Sequence, residues 1–85
     1  MTNSADPIAM TVVHGDVRFD LEIDGKWQTF RISREALEDL DGLTGEFDRI
    51  AVFCKHQDRI VAVAKRLVDA GIEGDEILIR TEFFG

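Results

Sequence analysis

From Asp16 to Ile32 the chain reads DVRFDLEIDGKWQTFRI. Val17, Phe19, Leu21 and Ile23 alternate strictly with Asp16, Arg18, Asp20 and Glu22. A period of two puts successive side chains on opposite faces, so this run is a strand buried on one side. Asp24-Gly25 follows, the pair that best tolerates the two positive φ angles of a type I′ turn. KWQTFRI is then the partner strand. With a two-residue loop, Ile23 pairs with Lys26, Phe19 with Phe30 and Val17 with Ile32. A three-residue loop would set Phe19 against Arg31 and mix the two faces, so the shorter loop is selected. In that register Trp27 lies opposite Glu22, on the face away from Phe19, Phe30 and Ile32. An aromatic there covers a second layer, packs beneath the N-terminal segment, or meets a partner.

Ahead of the hairpin, Ala9–Val13 is a short strand ended by His14-Gly15. Behind it, Ser33 is an N-cap for a short helix, REALEDL, which Asp41-Gly42 ends. Glu35 in its first turn suits the positive end of the helix dipole. Thr44 can cap a further helix running to about Ala70, with Gly71 as its C′ residue and Ile72 closing the motif. Unbroken, residues 44–70 would span about 40 Å, against a domain diameter of about 30 Å. The helix therefore overhangs, bends or is two helices. A last strand is expected from about Asp75 to Thr81. The fold class is α+β: a small, mainly antiparallel sheet made of the hairpin, the C-terminal strand and the N-terminal strand, packed on one face by a short and a long helix. Residues 1–8 are expected to be a flexible segment and residues 9–85 one domain.

A chain of 85 residues with 45% hydrophobic and 32% charged residues is one small globular domain. Its formal net charge is −7. That balance argues against nucleic acid as a partner. No run of 18 apolar residues exists, so no membrane span is expected. A single cysteine excludes an internal disulfide. The N-terminus shows no secretory signal, and a cytoplasmic protein is expected.

The residues FDLEIDGKWQTFRISREALEDL (19–40), followed by a long helix and ILIRTEF (77–83), resemble a family of small bacterial proteins known as domain of unknown function number fourteen-eighty-eight. The resemblance covers residues 16–82. Its most specific part is the join Ile32-Ser33-Arg34-Glu35-Ala36-Leu37; Phe53, His56, Ile60 and Ala64 also fit. Position 57 departs, with Gln57 where the family tends to carry arginine. The resemblance implies an α+β fold and no established activity.

FCKHQDRI (53–60) gathers the only cysteine and one of two histidines. On a helix, Cys54 and His56 point about 200° apart, beyond the reach a nucleophile–base pair needs. Cys54 falls at the edge of the apolar face, beside Phe47, Ile50 and Val61, and reads as a small hydrophobe. Two histidines and one cysteine make no closed metal site, and His14 and His56 lie far apart in the chain. No cofactor is expected. Lys55, His56, Arg59 and Arg66 share the polar side, with Asp48 the nearby acid: a solvated stripe, or a surface for a small anion. Gln57 falls on the apolar side, where its amide needs a backbone partner near the strand ends. Asp20, Glu22 and Asp24 form a solvated strand face, neither a catalytic pair nor a calcium loop. Phe83-Phe84, adjacent on a strand, point to opposite sides, so one is exposed or folds back on the hairpin. Trp27, Phe83 and Phe84 are the candidate interaction surface. The expected function is a non-enzymatic protein-interaction or regulatory module with an unknown protein partner or a second copy of itself. The alternative is an anion-binding module on the basic stripe, and last an enzyme using His56 with a carboxylate.

Overall fold

The computed structural model describes residues 6–42 and 47–84. The elements run β1 (Ile8–Val13), β2 (Asp16–Ile23), β3 (Lys26–Ile32), α1 (Arg34–Asp41), α2 (Arg49–Lys55), α3 (Gln57–Asp69), β4 (Glu76–Ile79) and a closing 3-10 turn (Thr81–Phe84). Sheet order is β1-β2-β3-β4. The first two pairings are antiparallel and the last is parallel. The fold is α+β, with the helices on one face of a mixed sheet.

The β2–β3 register is the one the two-residue loop dictates: Ile23 with Lys26, Phe19 with Phe30, Val17 with Ile32. Asp24 and Gly25 carry φ of 54° and 81°, and His14-Gly15 repeats the device between β1 and β2 with 51° and 86°. Every inward residue of β2 is buried. Phe19 stacks on Phe30 with ring centroids 5.5 Å apart, and Phe53 of α2 meets Phe19 edge-on at 4.8 Å. Leu37, Ile60, Ile77 and Ile79 complete the buried layer.

Ser33 caps α1, its Oγ accepting from the Ala36 N–H at 3.1 Å. The expected Thr44 cap lies outside the described residues. Asp48 caps α2 instead, accepting from the Ala51 N–H at 3.1 Å. The long helix is two helices. It breaks at His56 (φ −112°, ψ 21°), where the backbone N–H is shared between the carbonyls of Val52 and Phe53. No proline or glycine marks the break; it lets Phe53 and Ile60 both reach a twisted sheet within a molecule whose longest axis is 36 Å. The end of α3 is a Schellman motif, with Gly71 at φ 91°, Gly71 N–H to Val68 C=O and Ile72 N–H to Leu67 C=O.

The last strand is shorter than expected, four residues, and the chain after it turns. Phe83 and Phe84 are therefore not the end of a strand: both are half-buried against the core. Pro7, within the expected flexible segment, is buried, and β1 starts at Ile8.

Phe53→Ala removes the ring that closes the Phe19–Phe30 stack. It is expected to cost about 3–5 kcal/mol in urea unfolding, most of the stability of a domain this size. Gly25→Ala meets nothing within 4 Å, so its cost is the positive φ alone. That is about 1–2 kcal/mol, read as a lower urea midpoint at unchanged slope.

Candidate functional site

The four residues of the expected basic stripe have partners inside the molecule. Asp41, the last residue of α1, accepts from His56 Nε2 at 2.8 Å and from Lys55 Nζ at 2.9 Å, both on the same oxygen. His56 is only 17% exposed. Arg66 donates from Nη2 to the Phe83 carbonyl at 3.0 Å, and the Arg59 guanidinium sits 5.9 Å from the Phe84 ring centroid. The stripe is a set of clamps holding α1 and the C-terminal turn to the α2–α3 corner. Asp48, the acid expected beside His56, is occupied as the cap of α2. The signal for Asp41 was its place at the C-terminus of a helix, where a carboxylate opposes the dipole and gains from a cationic neighbour.

Two further residues sit elsewhere than their periodicity implies. Cys54 is exposed, not on the edge of the core. Val52 and Phe53 define the buried arc of α2, and the break at His56 resets the helical phase that had placed Cys54 beside Val61. Gln57 finds a side chain rather than backbone: Nε2 donates to Asp6 at 3.5 Å. Among the described residues, no group of three His, Cys, Asp or Glu side chains lies close enough to hold a metal ion.

At the β1–β2 turn, Arg49 stacks 5.1 Å from the Phe47 ring centroid, and its buried Nε has no hydrogen-bond partner among the described residues. A Cβ on Gly15 would come within 3.2 Å of Arg34 Cδ, so this end is closely packed.

The opposite end of the sheet is open. A groove of about 740 Å³ lies between the β2–β3 turn and the α3–β4 connection. Trp27 and Ile72 line it, 57% and 47% exposed, with Ile23 and Val68 beneath. Asp24, Glu73 and Asp75 rim it against the single cation Lys26. The hairpin register aims Trp27 outward, and the Schellman motif fixes Ile72. Gln28 holds the two walls together, its Nε2 donating to the Gly74 carbonyl at 2.9 Å. Of these residues the sequence reading singles out Trp27 for the surface and misses Ile72 and Gln28 as parts of it. A signal for Gln28 was available: by register it pairs with buried Leu21, and an amide on an inward strand position needs a partner. A second, smaller groove of about 250 Å³ shares Ile72 and Glu73 with the first and continues past Leu67, Ile77, Leu78 and Phe83. Trp27 and Phe83 thus stand at two ends of one track, while Phe84 lies under Arg59.

Residues 9–78 match the model of the family described as protein of unknown function (DUF1488). The chain belongs to that family. A crystal structure of a DUF1488-family protein of unknown function from Shewanella loihica PV-4 has the same fold, with a TM-score of 0.73 at 17% identity over 93% of this chain and 94% of that one. Comparison with curated proteins finds no match. No helix among the described residues is long and apolar enough to cross a membrane.

The hydrogen bond from His56, and then that from Lys55, hold the Asp41 carboxyl below its ordinary value of 3.8. A group depressed in the folded state adds stability that is present above its unfolded pKa and is lost as pH falls through the folded one. Asp41→Asn is expected to lower the urea midpoint at neutral pH. Its gap to wild type is expected to narrow progressively as pH falls below 3.8 toward the lowered folded-state value, a gap unchanged at low pH being inconsistent with the clamp.

Proposed function

We propose that this DUF1488 protein is a protein-interaction module, not an enzyme, and that it docks its partner in the groove between Trp27 and Ile72. The observation that carries this reading is Trp27 itself: the only tryptophan, 57% exposed, on the wall of a 740 Å³ groove whose opposite wall holds a second exposed apolar residue. A large aromatic held in water at the rim of a small core is what interface anchors look like. The walls are preorganised by the type I′ turn, the Schellman cap and the Gln28 bridge, which lowers the ordering cost of docking. The acidic rim favours a cationic partner over a second copy of a chain with net charge −7.

Trp27 contributes little to the core, so Trp27→Ala is expected to leave unfolding within about 0.5 kcal/mol of wild type. It is expected to weaken partner binding by about 2 kcal/mol or more, roughly 30-fold in Kd. The check uses immobilised wild-type and Trp27→Ala protein in extract of the source cells, with a photo-crosslinking residue at position 72 marking the contact. An identical captured set from both, or sedimentation showing self-association that Trp27→Ala leaves intact, would sink the reading.

A further inference from the structure

The two edges of the sheet are built differently. β1 carries a bulge: its pairing with β2 slips between Ile8 and Thr11, and Ala9 stands at φ 57°. A bulge of this kind bends an edge away from any incoming strand. β4 has no such device. It has regular register with β3 at all four residues, and it contains neither proline nor glycine.

The backbone of β4 also faces in two directions. The Ser33 N–H donates to the Ile79 carbonyl at 3.1 Å, so Ile79 is a residue whose groups point at β3. In a parallel ladder these alternate along the strand, and Ile77 shares that orientation. The N–H and C=O of Leu78 therefore point outward. Neither has a backbone partner among the described residues. Leu78 is 41% exposed.

What lies beside that edge is apolar and concave. The 250 Å³ groove is walled by Leu67 of α3 and Phe83 of the C-terminal turn, with Ile72 at its mouth. Arg66 pins the Phe83 wall through its carbonyl. The charges around the groove are Glu73 and Glu76 against Arg80. Through Ile72 and Glu73 it opens into the Trp27 groove, whose rim adds Asp24 and Asp75.

We infer that β4 accepts a fifth strand: an extended segment of another protein, apolar at alternate positions and carrying lysine or arginine between them. Leu78 supplies the backbone hydrogen bonds. The apolar side chains of one face lie on Leu67, Ile77 and Phe83, and the cations meet Glu73, Glu76 and Asp75. Main-chain pairing with alternating pockets is how edge strands read extended peptides. The inference rests on the docking reading above and specifies its partner.

The test is a titration of the ¹⁵N-labelled full chain with the synthetic peptide Lys-Ile-Lys-Val-Lys-Ile and with its counterpart carrying glutamate for lysine. The cationic peptide is expected to slow hydrogen exchange at the Leu78 amide at least about tenfold near saturation. The acidic one is expected to leave it unchanged. Leu78→Pro removes an outward N–H and none of the β3 ladder, and it is expected to weaken the cationic peptide about 30-fold or more. Should that variant not fold, Glu73→Lys with Glu76→Lys is expected to exchange the preference of the two peptides. A shift of the Trp27 indole with no change at the Leu78 amide overturns strand addition and leaves the Trp27 groove standing. No effect at either position also overturns it, while the groove reading falls only on its own Trp27→Ala experiment. A Leu78 amide already protected in the free protein, in proportion to concentration, assigns the edge to a second copy and overturns the inference.

Discussion

The stacking of Phe19 on Phe30 beneath Phe53 is the contact on which the other elements depend. It exists only in the register that a two-residue turn at Asp24-Gly25 permits, because a slip of one residue would put Phe19 and Arg31 on the same face, so that either Phe19 turns toward water or Arg31 turns inward. From that register follow the burial of Val17, Leu21 and Ile32 on the helix side and the exposure of Trp27 on the other. A core of this size has few other rings to share the load. Pairing energies that would be incremental in a larger domain decide here whether a sheet forms at all.

The polar interactions then fix how the helices lie on that sheet. α1 ends at Asp41, and one carboxylate oxygen gathers His56 and Lys55 from the corner where α2 becomes α3. A negative charge at a helix C-terminus is unfavourable alone, and the corner supplies what it lacks. Arg66 and Arg59 hold the C-terminal turn in the same manner, one through a carbonyl and one over a ring. Side chains that resembled a free cationic surface instead tie α1 and the C-terminal turn to the α2–α3 corner.

The hairpin, its register, the outward Trp27, the cap of α1 and the Gly71 end of α3 were legible because each rests on a local rule: a period of two, a pair of positive φ angles, a hydroxyl before a helix, a glycine after one. The break at His56 was not, because no residue there forbids a helix; the reason is the shape of the sheet underneath. The roles of Asp41 and Lys55 were hidden for the same kind of reason, their pairing being tertiary. Trp27 was visible as an outward aromatic, yet Ile72 and Gln28, which complete the groove, reach it from opposite sides of a contact 46 residues apart in the chain. Phe83 and Phe84 were misplaced because the chain stops being a strand at Ile79, and nothing in EILIRTEFF announces it.

The distribution of charge ties these observations together. The chain has 17 acidic and 10 basic residues, and at the helix corner and the C-terminal turn the cations are occupied: Lys55 on Asp41, Arg59 on Phe84, Arg66 on Phe83. Arg31 is spent in the same way on Asp16. Asp24, Glu73 and Asp75 form no ion pair among the described residues, and they stand around the Trp27 groove. Three acids and one lysine therefore stand where the apolar surface is also open. In the docking proposed above, an acidic rim around an exposed tryptophan disfavours a second copy of the same acidic chain. Under that same proposal the rim discriminates by charge before any apolar contact is made, so that electrostatics would select which partner arrives and Trp27 would set how long it stays.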